Sequence, residues 1–211
     1  FAGSGSEAKG HDKEQGTAPV SAQENNEEVP WGKGTIVGAV VMIRSLMKPV
    51  IAAINGPVAG AGLSLALACD IRIASDEAKF STVFVKRGLA PDTGGSFTLP
   101  RIVGLPKACE LLFTGDAIDA AEAEKIGLVN RVVPHNNLME AAKELAKRIA
   151  KNPPLAVALT KKVVYQSLSE SDIIEQMNNE VTIQGKLLNS EDFQEATRAF
   201  LEKRQPVFKG R

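Results

Sequence analysis

Hydrophobic positions change their spacing along the chain, and each change marks the start or end of a predicted element. After Thr35, apolar residues recur at intervals of three and four, which predicts a helix of about three turns. That helix ends at Lys48-Pro49, because a proline disfavours helical geometry in the residue before it. Residues 50–54 form a short, apolar, β-branched run, which predicts a buried strand that enters a turn at 55–57.

Beyond this turn the pattern continues as strands and helices, and then as helices alone. Small apolar residues at 63–69 predict a buried helix, 70–74 a second strand and 78–85 a short third strand. The later predictions are helices at 96–103 with an interruption at Pro100, at 106–114 and at 120–125 with Gly127 as its C-cap, a strand at 128–133, and helices at 138–150, 155–168, 171–188 and 191–203. This order predicts an α/β fold with a parallel sheet and a helical C-terminal region.

Residues 1–34 differ in composition from everything that follows. They are rich in Gly, Ser, Asn, Gln and Glu, and they carry three lysines against six acids. Such a segment cannot bury enough apolar surface to offset the entropy lost on ordering. We therefore predict a mobile loop or lid at 1–34, a core at 35–134 and a helical region at 135–211. Because the first residue is Phe1 rather than methionine, we expect a processed or truncated chain.

Composition and charge narrow the class of protein. The 211 residues are 44% hydrophobic and 24% charged, which suits a packed core rather than global disorder. Zero net charge argues against a general nucleic-acid or membrane-surface binder, whose affinity rests on excess Lys and Arg. No apolar run approaches ~18 residues, and no signal-peptide pattern opens the chain. Cys69 and Cys109 lack metal-like spacing and are expected to be buried thiols in a reducing, cytoplasmic setting.

The turn at 55–62 is the first candidate for chemistry. There a strand ends, glycines permit a tight turn, and a buried helix begins. The first turn of a helix presents unpaired N–H groups and a positive dipole end, and small residues let an oxygen approach the backbone. The same glycines also suit close packing of a helix on a strand, so both interpretations stay open.

Asp92 is the second candidate. It lies between Pro91 and Gly94-Gly95, in a loop that leads into an apolar helix. A carboxylate in an apolar setting can serve as an acid or a base near neutral pH. An aspartate in this place can equally be the N-cap of the helix that follows.

Other kinds of site find no support in the sequence. His11 lies in the polar opening segment and His135 in an apparent surface turn, and there is no G-x-S-x-G elbow. No His and Cys cluster has metal-ligand spacing, so no metal is predicted. The glycine-rich turn lacks the Lys and Ser/Thr of a phosphate loop, and it is not G-x-G-x-x-G.

Several segments together resemble the crotonase, or enoyl-CoA hydratase/isomerase, superfamily. They occur in the family's order, at 48–56, Gly60-Ala61-Gly62, 68–74, 88–92, Leu99-Pro100-Arg101, Thr114-Gly115, 123–133 and 199–204. The resemblance implies a ClpP-like spiral of stacked ββα units, with C-terminal helices that mediate trimerisation; trimers of this family often pair into hexamers. It implies an acyl-CoA thioester as substrate, with coenzyme A part of that substrate and no separate cofactor. The family's opening strands have no counterpart here.

The resemblance also implies an oxyanion hole, in which two backbone N–H groups bind the thioester carbonyl oxygen and stabilise an enolate. One donor falls on Ala61, the middle residue of the glycine-rich turn. The other belongs to a segment matched here only by residues 1–6. Two alignments of that segment place the donor at Gly5 or at Ser4.

The acidic residues decide which branch of the family this chain resembles. Typical hydratases use two glutamates to position and deprotonate water. In this sequence the two corresponding positions are Ser64 and Phe84. Asp92 matches the acid/base of the branch that contains the ring-1,2-epoxyphenylacetyl-CoA isomerase. We therefore expect isomerisation with Asp92 as the proton shuttle, with Gly60 and Pro91 completing the pocket. A hydratase or hydrolase in which Asp92 activates water, and a non-catalytic acyl-CoA-binding member, are the alternatives.

Two residues near the C-terminus match the family's coenzyme A contacts. Phe200 corresponds to an aromatic residue at the adenine and Lys203 to a basic residue at the 3′-phosphate, both reaching a neighbouring subunit. An ordinary amphipathic helix, with Phe200 buried and Lys203 solvated, explains the same residues. A homotrimer or a dimer of trimers is the expected assembly.

Overall fold

The computed structural model describes residues 35–211, and the first element is the helix α1, Ile36–Ser45. Thr35 is its N-cap, and the Thr35 side chain accepts a hydrogen bond of 3.1 Å from the amide of Gly38. The helix ends before Pro49, as the sequence predicts. The strand β1, Ile51–Ile54, follows and confirms the second predicted element.

The strands within the described range form two small sheets. The first sheet has the order β1-β3-β6 and is parallel throughout, with β3 at Ile71–Ser75 and β6 at Arg131–Val133. The second has the order β2-β4-β5, with β2 at Val58–Ala59, β4 at Lys79–Ser81 and β5 at Ala117–Asp119. There β2 and β4 are parallel, whereas β4 and β5 are antiparallel.

The chain climbs through these sheets as a spiral. The strands β1 and β2 lie in different sheets and lead into α2, Ala61–Ala68. The strands β3 and β4 repeat this path one level higher and lead towards α3, Gly95–Val103. The remaining helices are α4 at Leu105–Thr114, α5 at Ala120–Lys125, α6 at Leu138–Ala150, α7 at Pro154–Ser167, α8 at Ile173–Leu188 and α9 at Glu191–Leu201. This is the predicted α/β spiral with a helical C-terminal region.

The buried hydrophobic residues form two clusters. The larger one packs the sheets and helices of the spiral together, and the smaller one packs α6 against the first sheet. Leu67, Phe80 and Leu99 are almost fully buried in the main cluster, between the second sheet and the helices α2 and α3. Ile73 packs instead with Leu138, so α6 covers the other face of the first sheet. The division between 134 and 135 stays a prediction, as does a mobile lid at 1–34, which lies outside the described residues.

Three predicted elements differ from the structure. The strand predicted at 78–85 ends at Ser81, because Val83 has a φ of 30° and the chain turns into a short 3-10 helix, Phe84–Arg87. The strand predicted from residue 128 begins only at Arg131. The amides of Leu128 and Val129 instead donate to the carbonyl of Ala123. These bonds follow Gly127, whose left-handed backbone at φ 75° ends the helix α5.

The predicted interruption at Pro100 is wrong, because α3 runs without a break through that residue. The short strands β2 and β5 were not predicted, since two or three residues are too few to show an alternating pattern. The two cysteines are unpaired thiols. Cys69 is buried as expected, whereas Cys109 is only partly buried.

Candidate active site

The turn before α2 leaves the backbone amide of Ala61 without a hydrogen-bond acceptor in the described part of the chain. Gly60 is the N-cap of α2, with φ 54° and ψ −125°, and its own amide donates to the carbonyl of Ser81 at 3.0 Å. Ala61 opens the helix, so its amide has no helical acceptor. Among the described residues it has no other acceptor either. The amide at Ala61, the expected oxyanion donor, is therefore left without an acceptor in the described part of the chain.

Phe84 lies directly against this turn. A Cβ atom built on Gly60 would be 3.6 Å from the Phe84 ring and 3.4 Å from a methyl group of Val83. The amide of Val83 donates to Ser81 Oγ at 3.1 Å, and that of Phe84 donates to the carbonyl of Thr82. The left-handed backbone of Val83 is thus held by neighbouring hydrogen bonds, and it turns the Phe84 ring towards Gly60.

Ser64 is buried one turn further along α2. Its side chain is closed off from solvent, and its hydroxyl donates a long bond of 3.4 Å to the carbonyl of Gly60. A Cβ atom on Gly95 would be 2.8 Å from Ser64 Oγ and 3.8 Å from Pro91 Cβ. The start of α3 therefore packs on Ser64, and a longer acidic side chain there would collide with it.

A cavity of about 610 Å³ lies between α1 and the loop before α3. Asp92 is the only carboxylate among the described residues that line it. Its walls are Val37, Gly38, Val40, Val41 and Met42 from α1, and Pro91, Asp92, Thr93, Gly94 and Ser96 from the loop and the start of α3. The wall that α1 places opposite Asp92 is apolar.

The carboxylate of Asp92 is not engaged in the fold. It is exposed, and it makes no hydrogen bond or ion pair with the described part of the chain. The N-cap of α3 is Gly94, at φ 80°, and no side chain caps this helix. The interpretation of Asp92 as an N-cap is therefore wrong, and the carboxylate is free to meet a ligand.

Thr93 is a site residue that the sequence did not single out. It lines the same cavity, yet it is only 2% exposed, and its hydroxyl oxygen has no hydrogen-bond partner among residues 35–211. The apolar face of α1 was also not assigned to the pocket. Its spacing, with Val37, Val40 and Val41 on one side, was the available signal.

Phe200 and Lys203 lie at the end of α9 and do not line this cavity. Phe200 is 82% exposed, so its interpretation as a buried helix residue is wrong. Lys203 has a left-handed backbone at φ 54°. Its amide bonds to the carbonyl of Phe200 and that of Arg204 to the carbonyl of Ala199, which terminates α9 with a lysine where glycine is usual.

Gly5 and Ser4, the two candidates for the second oxyanion donor, lie outside the described residues. Within residues 35–211 no three His, Cys, Asp or Glu side chains form a group able to hold a metal ion. In the same range, no helix has the length and apolar character needed to cross a membrane.

The spiral of ββα units is the fold of the crotonase class. The model of the family described as enoyl-CoA hydratase/isomerase matches residues 17–211. This chain belongs to that family and is an enzyme of the isomerase or hydratase type.

Similar proteins are known in several bacteria. The short-chain-enoyl-CoA hydratase of Clostridium acetobutylicum is 40% identical over 190 residues, which cover 89% of this chain and 72% of that protein. The carnitinyl-CoA dehydratase of Citrobacter koseri is 39% identical over 196 residues, covering 91% and 74%. The crystal structure of an enoyl-CoA hydratase from Bacillus anthracis matches with a TM-score of 0.81 at 39% identity, covering 83% of this chain and 68% of that one.

Proposed function

We propose that the protein is an enoyl-CoA isomerase of the branch that contains the ring-1,2-epoxyphenylacetyl-CoA isomerase. One observation carries the proposal: Asp92 is the only described carboxylate at the cavity, and it is unengaged. At the two positions where the resembling hydratases carry glutamate, Ser64 is buried under α3 and Phe84 packs on Gly60. A single acid that moves one proton is enough for isomerisation, whereas typical hydratases use two glutamates to position and deprotonate water.

In the proposed reaction the amide of Ala61 donates to the thioester carbonyl oxygen, together with a second donor at Gly5 or Ser4. Asp92 removes a proton from one carbon, which leaves a dienolate whose negative charge rests on that oxygen. The protonated Asp92 then returns the proton to another carbon, so the double bond moves and the overall composition is unchanged. Each preorganised donor of this kind contributes about 3 kcal/mol to the transition state.

Asp92→Asn tests the role of the carboxylate. The change keeps the shape of the side chain but removes its ability to take a proton, so we expect turnover of a 3-enoyl-CoA to fall by about 10³-fold or more. Binding of the thioester should persist, because the donors are untouched. Asp116→Asn is the matched control, since that aspartate is exposed and forms only a surface ion pair with Lys86. Unchanged turnover in Asp92→Asn would refute the assignment.

Hydration is the second candidate, and the names of the relatives favour it. The matching proteins from Clostridium acetobutylicum and Syntrophomonas wolfei are a short-chain-enoyl-CoA hydratase and a crotonyl-CoA hydratase. In this version Asp92 activates water, and the product is a 3-hydroxyacyl-CoA. Incubation with crotonyl-CoA and with a 3-enoyl-CoA, followed by mass analysis of the products, separates the two reactions, because hydration adds the mass of one water.

The proposal includes the assembly and the coenzyme A contacts. We infer a homotrimer or a dimer of trimers, supported by the exposed apolar side chains of α8 and α9. In such an assembly, Phe200 and Lys203 would contact the adenine and the 3′-phosphate of the substrate. No separate cofactor is invoked, since coenzyme A is part of the substrate. A cytoplasmic location is part of the proposal, supported by the unpaired thiols of Cys69 and Cys109.

A further inference from the structure

A buried ion pair connects α7, in the helical C-terminal region, to the first sheet. The Nζ atom of Lys161 lies 2.7 Å from Oδ2 of Asp70, and the two side chains are only 7% and 15% exposed. Asp70 stands between α2 and β3. No step of the proposed reaction uses either residue, and neither lines the cavity at Asp92.

Lys161 also caps the helix α1. Its Nζ atom donates to the carbonyl oxygens of Ile43 and Lys48, each at 3.2 Å. The last carbonyls of a helix have no donor within that helix, and the helix dipole favours a cation beside them. Ile43 lies in the last turn of α1, so Lys161 supplies from α7 the charge and the donor that this end of α1 requires.

Asp70 and Tyr165 hold the ammonium in place. The Tyr165 hydroxyl donates to Oδ1 of Asp70 at 2.6 Å, and the amide of Val50, just before β1, donates to Oδ2 at 2.6 Å. Arg44, also in the last turn of α1, stacks on the Tyr165 ring at 4.1 Å. Burial and then the hydrogen bond to Asp70 raise the pKa of Tyr165 to about 12, so the phenol stays a donor.

The helix that this network holds is also the apolar wall of the cavity. Val37, Val41 and Met42 line the cavity on the α1 side, and Ile43 is the next residue along the chain. A Cβ atom on Gly94 would be 3.7 Å from Val40, so α1 packs closely on the loop that carries Asp92. A shift of the end of α1 therefore changes the width of the cavity.

We propose that Lys161, held by Asp70 and Tyr165, is a positioning residue that fixes the end of α1 and thereby selects which acyl groups the cavity accepts. The inference rests on the proposed function, because the cavity is an acyl site only if an acyl-CoA binds there. Lys161 acts through α1 and touches no substrate. Its loss should affect long acyl groups more than short ones, because a longer chain fills more of the cavity and so depends more on the position of the α1 wall.

The test compares Lys161→Met with Lys162→Met, which removes an exposed lysine from the same helix. Calorimetry measures the Kd of butanoyl-CoA and of decanoyl-CoA in the full chain, and hydrogen exchange follows the amides of α1, with α4 as a reference. We expect Lys161→Met to weaken decanoyl-CoA about tenfold more than butanoyl-CoA and to speed exchange in α1 but not in α4. Lys162→Met should behave as the wild type.

Equal weakening of both thioesters, or wild-type exchange of α1 in Lys161→Met, would overturn the inference. If Lys161→Met fails to fold, Tyr165→Phe decides by the same two measurements, because it removes one hydrogen bond and keeps the ring under Arg44. The expected changes are then smaller and in the same direction. A wild-type protein that binds neither thioester would refute the proposed function and acyl selection together. If Lys161→Met changes only the hydrogen exchange of α1 and not the relative affinity for the two thioesters, acyl selection is refuted, and Lys161 only stabilises the end of α1.

Discussion

At the scale of single residues, Thr93 and Lys203 are held in arrangements that cost stability. Thr93 buries a hydroxyl oxygen without a partner among the described residues, and Lys203 adopts a backbone that favours glycine. Such features persist only where the surrounding structure enforces them, and they concentrate at functional sites. Thr93 lies beside Asp92, and Lys203 is the residue proposed to contact the 3′-phosphate of coenzyme A. Both therefore lead to predictions about stability, and the prediction for Lys203 also concerns binding.

Thr93→Val should stabilise the protein by about 1 kcal/mol, because it removes a buried hydroxyl that has no hydrogen bond while keeping the shape of the side chain. Thr98→Val is the matched control. Its hydroxyl is also buried but donates to the carbonyl of Gly94 at 3.0 Å, so its loss should destabilise by about 1 kcal/mol. Urea unfolding of the three proteins measures both changes. A destabilised Thr93→Val would mean that this hydroxyl has a partner.

Lys203→Gly should remove the strain of a left-handed lysine, worth about 1–2 kcal/mol, partly offset by the greater entropy of the unfolded chain. Lys203→Ala keeps the strain and serves as the comparison. Both variants lose the charge proposed for the 3′-phosphate, so both should weaken acyl-CoA binding by about two- to fivefold. Thermal unfolding should place Lys203→Gly above Lys203→Ala. Wild-type affinity in both variants would contradict the proposed contact.

At the scale of elements, the turn between β2 and α2 is the unit that presents the proposed oxyanion donor. Gly60 combines φ 54° with ψ −125°, which is outside the regions open to residues with a side chain. The parallel pairing of β2 with β4 continues into the bond from the Gly60 amide to Ser81, so the second sheet fixes where α2 begins. The direction of the Ala61 amide therefore depends on a glycine that does not itself donate to the substrate.

Gly60→Ala should disturb this unit. The new Cβ atom needs a backbone that costs about 1–3 kcal/mol, and it would lie 3.4 Å from Val83. We expect lower stability and a fall in kcat larger than the change in KM, because the donor at Ala61 acts chiefly in the transition state. Gly62→Ala is the control. Gly62 lies inside the helix α2, and a Cβ atom there would make an ordinary contact of 3.5 Å with the Val58 side chain. Equal kinetics in both variants would argue against an oxyanion donor at this turn.

At the scale of the whole molecule, α8 carries an apolar stripe that nothing in the described chain covers. Ile173, Ile174, Met177 and Val181 are 55–71% exposed, at positions that share one side of the helix. A contiguous apolar surface of this kind is typical of a protein interface. It supports the proposed self-association through the C-terminal helices.

Val181→Glu should therefore shift the protein towards monomer, because a buried, unpaired carboxylate in an apolar interface is costly. Thr182→Glu adds the same charge to an exposed position turned away from the stripe, and should leave the assembly unchanged. Sedimentation velocity at several concentrations reports the mass of each. A Val181→Glu protein with the wild-type mass would place the interface elsewhere.

Much of this site was predictable from the sequence, and the parts that were not share a cause. The segments around Ala61 and Asp92 are contiguous, so their glycines and prolines predict turns, and the structure places a free amide and a free carboxylate there. The ion pair of Lys161 with Asp70 and its hydrogen bond to the carbonyl of Ile43 join distant parts of the chain. Such contacts produce no periodic pattern in the sequence. The turn at Val83 was missed because a β-branched residue in a left-handed backbone contradicts local preference.

The sequence by itself determined the order of the longer helices and strands, the family and the residue types at the candidate site, because these follow from periodicity, turn chemistry and motif. Only the tertiary structure decided which of those residues face a cavity. In the folded chain Ser64 is buried beneath Gly95 and the Phe84 ring packs on Gly60. Asp92 does not cap a helix, and α1 lies opposite Asp92 across the cavity. The physical reason is that burial and the direction of a side chain depend on contacts between segments far apart in sequence, which local pattern does not encode.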